Sequence, residues 1–266
     1  MQYLESRPQF PLSKSIHSFW QLEDNASSNP ECNSVPPDGC VEIIFNLAEP
    51  FRRFQSNHKI ELQPSAIFVG QMKSATRIQP TGRISLLGIR FQPHGASRFI
   101  DVPMNECCDQ ILSLDSIWNS VASEFEERIH VAMSFSERAR VAESMLMKLM
   151  RHQSNERIEI AVEMIHHSAS VDRVAYQLGI SSRQLVRDFQ KEVGLTPKFL
   201  ARIVRFQRIF QAIQYAPDDC WASIAIDCGY YDQAHLIRDF QEFAGETPST
   251  FLLEQHELTD RFTGRT

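Results

Sequence analysis

Val174-Ala175-x-x-Leu178-Gly179-Ile180 recurs fifty residues later as Ile224-Ala225-x-x-Cys228-Gly229-Tyr230. Arg187-Asp188-Phe189 then matches Arg238-Asp239-Phe240, Gly194 matches Gly245, and Thr196-Pro197 matches Thr247-Pro248, all at an offset of 51. One residue has therefore been added in the second copy, just after its first Gly. An ordered internal repeat means one supersecondary unit used twice.

Each element of the unit has a physical reason. Ala175 and Ala225 remove bulk where two helices cross, and Gly179 and Gly229 end a helix where a positive φ is favoured. Ser181 caps the next helix, with Gln184 three residues on completing a capping box, while Asp232 caps alone in the second copy. Leu185, Phe189 and Val193 form the inward stripe of that helix, which turns Arg183 and Arg187 outward. The second copy puts Leu236 and Phe240 inward and Ala234, Arg238 and Gln241 outward. Helix, tight Gly turn, helix with an outward polar face is the arrangement that reads a DNA major groove.

Thr196-Pro197 and Thr247-Pro248 each give a cap followed by Pro at the first helical position. The helix after Pro197 joins the copies as a partly buried strut, its Phe199, Ile203, Phe206 and Phe210 surrounded by Lys198, Arg202, Arg205 and Arg208, which can touch phosphate. Charge is unevenly spread. Arg173 to Arg208 holds eight bases against two acids, a net of +6, whereas Ile209 to Glu254 holds one base against eight acids, a net of −7. The total of −6 hides this split. Acids facing DNA would repel phosphate, so the first copy is expected to supply most of the affinity.

The stretch from about 155 to 254 resembles the AraC/XylS family of transcription regulators. The resemblance rests on Leu178-Gly179-Ile180-Ser181, Arg205-Phe206-Gln207-Arg208 and Gly229-Tyr230-x-Asp232-Gln233-x-His235-Leu236, together with the ordered repeat. It implies base-reading faces at Ser182, Arg183, Val186 and Arg187 and at Gln233, Ala234, Ile237 and Arg238, with Lys198 and Arg202 on the strut. Arg suits guanine and Gln adenine, while Ala and Val offer apolar contact to a thymine methyl. It also implies activation rather than repression, double-stranded DNA as partner, a homodimer, a small-molecule effector and contact with RNA polymerase.

The first hundred residues carry short β-branched and aromatic runs broken by Pro, Gly and Asn. Val41 to Phe45, Ala66 to Val69 and Ile84 to Phe91 are read as strands of an antiparallel sandwich or small barrel. Val35 to Leu47 and Gly88 to Ala96 are similar to a poorly characterised cupin-like domain that precedes some modules of this family, which implies a sensor. Phe19, Trp20, Phe45 and Phe68 are candidates to line its cavity. Glu42 either contacts an effector or faces solvent, and His94 is read as a loop residue. From Leu114 the pattern turns helical. Ser136-Glu137-Arg138 is expected to open a helix whose Val141, Met145 and Leu149 stripe meets its own domain or a second subunit.

The expected fold class is α+β: a front antiparallel β-sandwich or cupin-like domain with helices, then an all-α double helix-turn-helix domain. The boundaries are 1–110 for the sensor, 111–153 for a dimerisation or linker segment, 154–254 for the DNA-binding domain and 255–266 for a tail. Composition is that of a folded protein, 42% hydrophobic and 23% charged, with no run of about 18 uncharged residues, so the chain is expected in the cytoplasm. Six scattered cysteines point to free thiols, with redox sensing at Cys107 and Cys108 the alternative. No cofactor or metal is expected, since His17, His58 and His94 stand apart. Three readings compete with a DNA-binding regulator: a cupin-type enzyme, a repair protein with a metal-activated cysteine, and a co-regulator binding protein through its acidic half.

Overall fold

A computed structural model of the chain describes residues 1–25, 31–55, 59–151, 155–215 and 220–253. His58, the segment 152–154, Asp218, Asp219 and everything from Glu254 onward lie outside them.

The front domain is built on two antiparallel sheets. The larger has the order β1-β2-β9-β4-β7-β10, with β1 Gln2–Ser6, β2 Ile16–Asp24, β4 Glu42–Asn46, β7 Ala66–Val69, β9 Ile84–Phe91 and β10 Ile111–Ser113. The smaller has the order β3-β8-β5-β6, with β3 Asn33–Val35, β5 Phe51–Phe54, β6 Ile60–Leu62 and β8 Thr76–Pro80. Helices α1 Asp115–Trp118, α2 Ser120–Val131 and α3 Phe135–Leu149 follow.

Both faces of the larger sheet are covered, and the two-residue strand period sorts the side chains between them. Ile43, Phe45, Ala66, Phe68, Leu87, Ile89 and Phe91 pack with Trp118, Phe125, Ile129, Met145 and Leu149 of the helices in one core. The alternating Glu42, Ile44, Asn46, Ile67, Val69, Leu86 and Arg90 face the smaller sheet. This explains why the strands do not alternate apolar with polar: each is buried on both sides.

The α3 stripe belongs to that first core. Met145 and Leu149 are buried in it and Val141 packs at its edge, so the face read as a possible subunit contact is covered by its own domain. The helix opens at Phe135, one residue before the expected Ser136, with Ser134 as its cap: the Ser134 Oγ accepts from the Glu137 amide, and Glu137 Oε2 accepts from the Met133 amide. Ser134 wins because only it places a glutamate three residues on.

Seven helices complete the described chain: α4 Glu156–His166, α5 Val171–Gln177, α6 Ser182–Val193, α7 Pro197–Tyr215, α8 Trp221–Asp227, α9 Gln233–Ala244 and α10 Pro248–Leu253. Gly179 (φ +64°) and Gly229 (φ +82°) sit in the left-handed turns between α5 and α6 and between α8 and α9. Ala175 and Ala225 are buried at the crossings. The caps form at Ser181, Asp232, Thr196 and Thr247. The reciprocal half of the first capping box does not, because the Gln184 amide instead donates to Asp188 and accepts from Arg187.

One core holds both copies. On α7, Phe206 meets Phe210, Phe240 and Phe243 at ring-centroid distances of 5.1, 5.3 and 5.1 Å. Such contacts are worth about 0.5–1.5 kcal/mol per pair beyond burial, so α7 fixes α9 against the first copy.

Candidate nucleic-acid interface and interior cavity

The inward stripe determines what α6 can present. Leu185, Phe189 and Val193 are fully buried, and Ser182, Arg183 and Arg187 emerge exposed on the opposite side, with Val186 half-buried beside them. Arg187 is 75% exposed; its Nη2 donates to Gln184 Oε1 at 2.6 Å and its Nε lies 3.7 Å from Asp188 Oδ1. On α9 the same logic exposes Gln233, Ala234 and Arg238, with Ile237 half-buried. The structure thus brings each expected foursome onto one face of its own helix. Lys198 at the start of α7 is exposed as well.

Arg202 is placed elsewhere. Its guanidinium donates to Asp239 Oδ1 at 2.8 Å and to both Glu242 oxygens at 3.0 and 2.6 Å, and it lies over the rings of Phe199 and Phe243. Hydrogen bonding to Glu242, and then Asp239, holds Arg202 above its ordinary range. Arg205 donates to the other Asp239 oxygen at 3.0 Å and stacks on Tyr230. Arg208 binds the Ser168 hydroxyl and the His166 carbonyl. Three of the four strut bases are therefore engaged within the domain.

The same pairing accounts for part of the acidic second half. Asp239 and Glu242 point at the strut, not at a groove, which removes two charges from each side of the split and leaves +4 against −5. Two aromatic residues escaped the sequence reading: Tyr176 on α5 and Tyr231, just before the Asp232 cap, are 88% and 89% exposed. Large apolar side chains left bare beside a recognition turn were the available signal.

Between the two front sheets lies a cavity of about 100 Å³, apolar along Val35, Ile44, Ile67, Val69, Ile78 and Leu86. Its polar end is a buried charge cluster. The strand register sets Glu42 opposite Arg90, whose Nε donates to Glu42 Oε1 at 2.7 Å while Nη2 pairs with Asp38 Oδ2 at 3.0 Å. The Trp20 indole also donates to Glu42 Oε1, at 3.1 Å. Burial opposes the Arg90 charge, but Glu42 and Asp38 more than offset it and hold the guanidinium well above its usual range. Burial pushes Glu42 up, Arg90 draws it back, and Asp38 adds to the rise.

The aromatics expected to line the cavity do not. Phe19, Phe45 and Phe68 belong to the core shared with the helices, and Trp20 packs with Leu22, Phe51, Ile84 and Leu86. Phe51 is the aromatic residue of the lining. His94 is buried, with Nε2 3.2 Å from the Lys14 carbonyl and 4.0 Å from Glu159 of α4. Burial raises both the Cys107 and Cys108 thiols, which disfavours the reactive thiolate that redox sensing needs. Among the described residues no cluster of three or more His, Cys, Asp or Glu could hold a metal, and no helix is long and apolar enough to cross a membrane.

One cavity wall touches the helical domain. Val35 to Asp38 and Cys40 line the cavity, and the Pro37 carbonyl accepts from Gln207 Nε2 of α7 at 2.6 Å. At Gly39 the loop approaches α7 so closely that a Cβ would stand 2.9 Å from Leu200 Cδ1. Ser34 Oγ donates to the Ala244 carbonyl at the end of α9, at 3.3 Å.

Two stacked helix-turn-helix units with solvent-facing second helices define a DNA-binding module. Residues 174–254 match the family described as "Helix-turn-helix domain", and residues 4–113 match a domain of unknown function, DUF6597. The chain is similar in fold to ToxT from Vibrio cholerae, at 9% identity over 88% of this chain and 98% of that one, with a TM-score of 0.50. A second structure, ToxT from Vibrio cholerae O395 bound to (E)-4-(8-methylnaphthalen-1-yl)but-3-enoic acid, gives 11% identity over the same shares and a TM-score of 0.50. No curated protein sequence matches the chain. The chain therefore carries a helix-turn-helix, DNA-binding module behind a domain of unknown function, on a fold like that of ToxT, in keeping with the resemblance of residues 155–254 to AraC/XylS-type regulators.

Proposed function

We propose that the chain is an effector-controlled activator in which α6 and α9 enter the major groove and the front cavity sets their placement. The observation that carries this reading is the segment from β3 to Cys40, whose Val35 to Asp38 and Cys40 wall the cavity while Ser34 and Pro37 bond α9 and α7. A ligand with different affinities for two positions of this segment would shift the DNA-binding domain by that difference. Ser182, Arg183, Val186 and Arg187 read one half of the operator, and Gln233, Ala234, Ile237 and Arg238 the other, with Lys198 at phosphate. A small organic acid held by a protein of this fold is in keeping with a ligand-binding front domain.

The active form is a homodimer, with RNA polymerase as the downstream contact. The exposed Val131 and Met133 at the joint of α2 and α3, 72% and 87% accessible, support a subunit contact there in place of the buried α3 stripe. The test is selection of bound sites from a random DNA pool by the full chain. Two submotifs are expected, one lost with Arg183→Ala plus Arg187→Ala and the other with Gln233→Ala plus Arg238→Ala. A bound pool without sequence preference would refute it.

A further inference from the structure

At the polar end of the front cavity two carboxyl groups, Asp38 and Glu42, share the single guanidinium of Arg90, all three lining one small space. The Arg90 and Trp20 bonds to Glu42 both fall on Oε1. Oε2 accepts neither of these bonds and belongs to a residue that lines the cavity, so it is the acceptor a ligand can reach. Asp38 has both oxygens engaged, Oδ1 by the Cys40 amide and Oδ2 by Arg90.

We propose that the cavity binds a small, largely apolar amine, whose ammonium group donates to Glu42 Oε2 while its hydrocarbon part lies among Ile44, Ile67, Val69, Ile78 and Leu86. The proposal rests on the effector reading above and supplies the chemistry of the ligand. An ammonium group supplies a second positive partner for the two carboxyl groups, whereas a carboxylic acid would compete with Asp38 and Glu42 for Arg90. Occupancy also bears on Asp38, which belongs to the loop that carries the Pro37 carbonyl to Gln207. The amine is thereby placed next to the connection to α7.

The test uses the full chain with butylamine and cyclohexylamine as probes, and butanol, butanoate and cyclohexanecarboxylate as controls. Thermal unfolding and DNA affinity are read together. The amines are expected to raise the melting temperature by about 5–10 °C at a hundredfold excess over Kd, and the controls are not. Glu42→Gln keeps an oxygen for Trp20 and Arg90 but removes the charge, and amine affinity should fall about 10- to 100-fold. Ile44→Phe, which narrows the apolar part, should abolish binding and serves if Glu42→Gln fails to fold.

Amine binding that survives Glu42→Gln, equal binding of the acids, or no shift with either amine overturns the ligand assignment. The effector reading fails separately, if neither a bound probe nor Ile44→Phe changes DNA affinity.

Discussion

Asp239 offers the sharpest test of how the two repeats are held together. Its side chain is 7% exposed and is shared between Arg202 and Arg205 at 2.8 and 3.0 Å. Asp239→Ala leaves one guanidinium partly stranded. Breaking a buried ion pair from one side costs about 3–5 kcal/mol. Here the two arginines are each 25% exposed and Arg202 retains Glu242, so water and the second acid recover part of that. A loss of about 2–3 kcal/mol remains, in line with removing hydrogen bonds to charged groups. In calorimetry the transition of the helical domain should fall by about 10 °C or more, and Asp239→Asn, which keeps one acceptor, by about half as much. A helical-domain transition within about 2 °C of the wild type in Asp239→Ala would refute the argument that this cluster locks α9 to α7.

Three further outcomes follow from the same geometry. Arg202→Ala should lower stability while leaving the salt dependence of DNA binding unchanged, whereas Lys198→Ala should reduce the slope of log affinity against log salt by about 1; both are read by titration at several salt concentrations. His17, His94 and His166 are all held low, by burial first, so each contributes stability that is present above about pH 6.5 and is lost as pH falls below it. Denaturation at pH 7.5 and 5.5 should show a smaller pH-dependent loss in His94→Gln than in the wild type. Met133→Asp should halve the sedimenting mass without changing the melting transition of the monomer, and Met145→Asp should instead unfold the front domain.

The helical domain was legible because its signals are local: caps, turn glycines and an apolar stripe of period four, all within about fifteen residues of one another. Its repeat gave the architecture, and the inward stripe alone fixed which side chains are outward. The role of Arg202 was not legible, because its partner Asp239 lies 37 residues away on the other copy. Nor was the cavity lining, for a related reason. Strands buried on both faces show no apolar and polar alternation, so the sequence cannot say that Phe45 and Phe68 face the helices while Ile44 and Ile67 face the cavity. Short edge strands such as Ile60–Leu62 carry too few residues to show any period. The buried pair Glu42 and Arg90 became visible only once β4 and β9 were set in register.

We propose that the exposed faces of α6 and α9 read DNA, with α6 carrying more of the affinity because of the charge that remains around it. Affinity of the full chain for one selected operator, measured at two salt concentrations for the wild type, Arg187→Ala and Arg238→Ala, tests this directly. Arg187→Ala should cost about 1–3 kcal/mol and relax base preference at one position, and Arg238→Ala should cost less. A loss for Arg238→Ala equal to or greater than that for Arg187→Ala would contradict the asymmetry, and two variants that both bind like the wild type would contradict the interface itself.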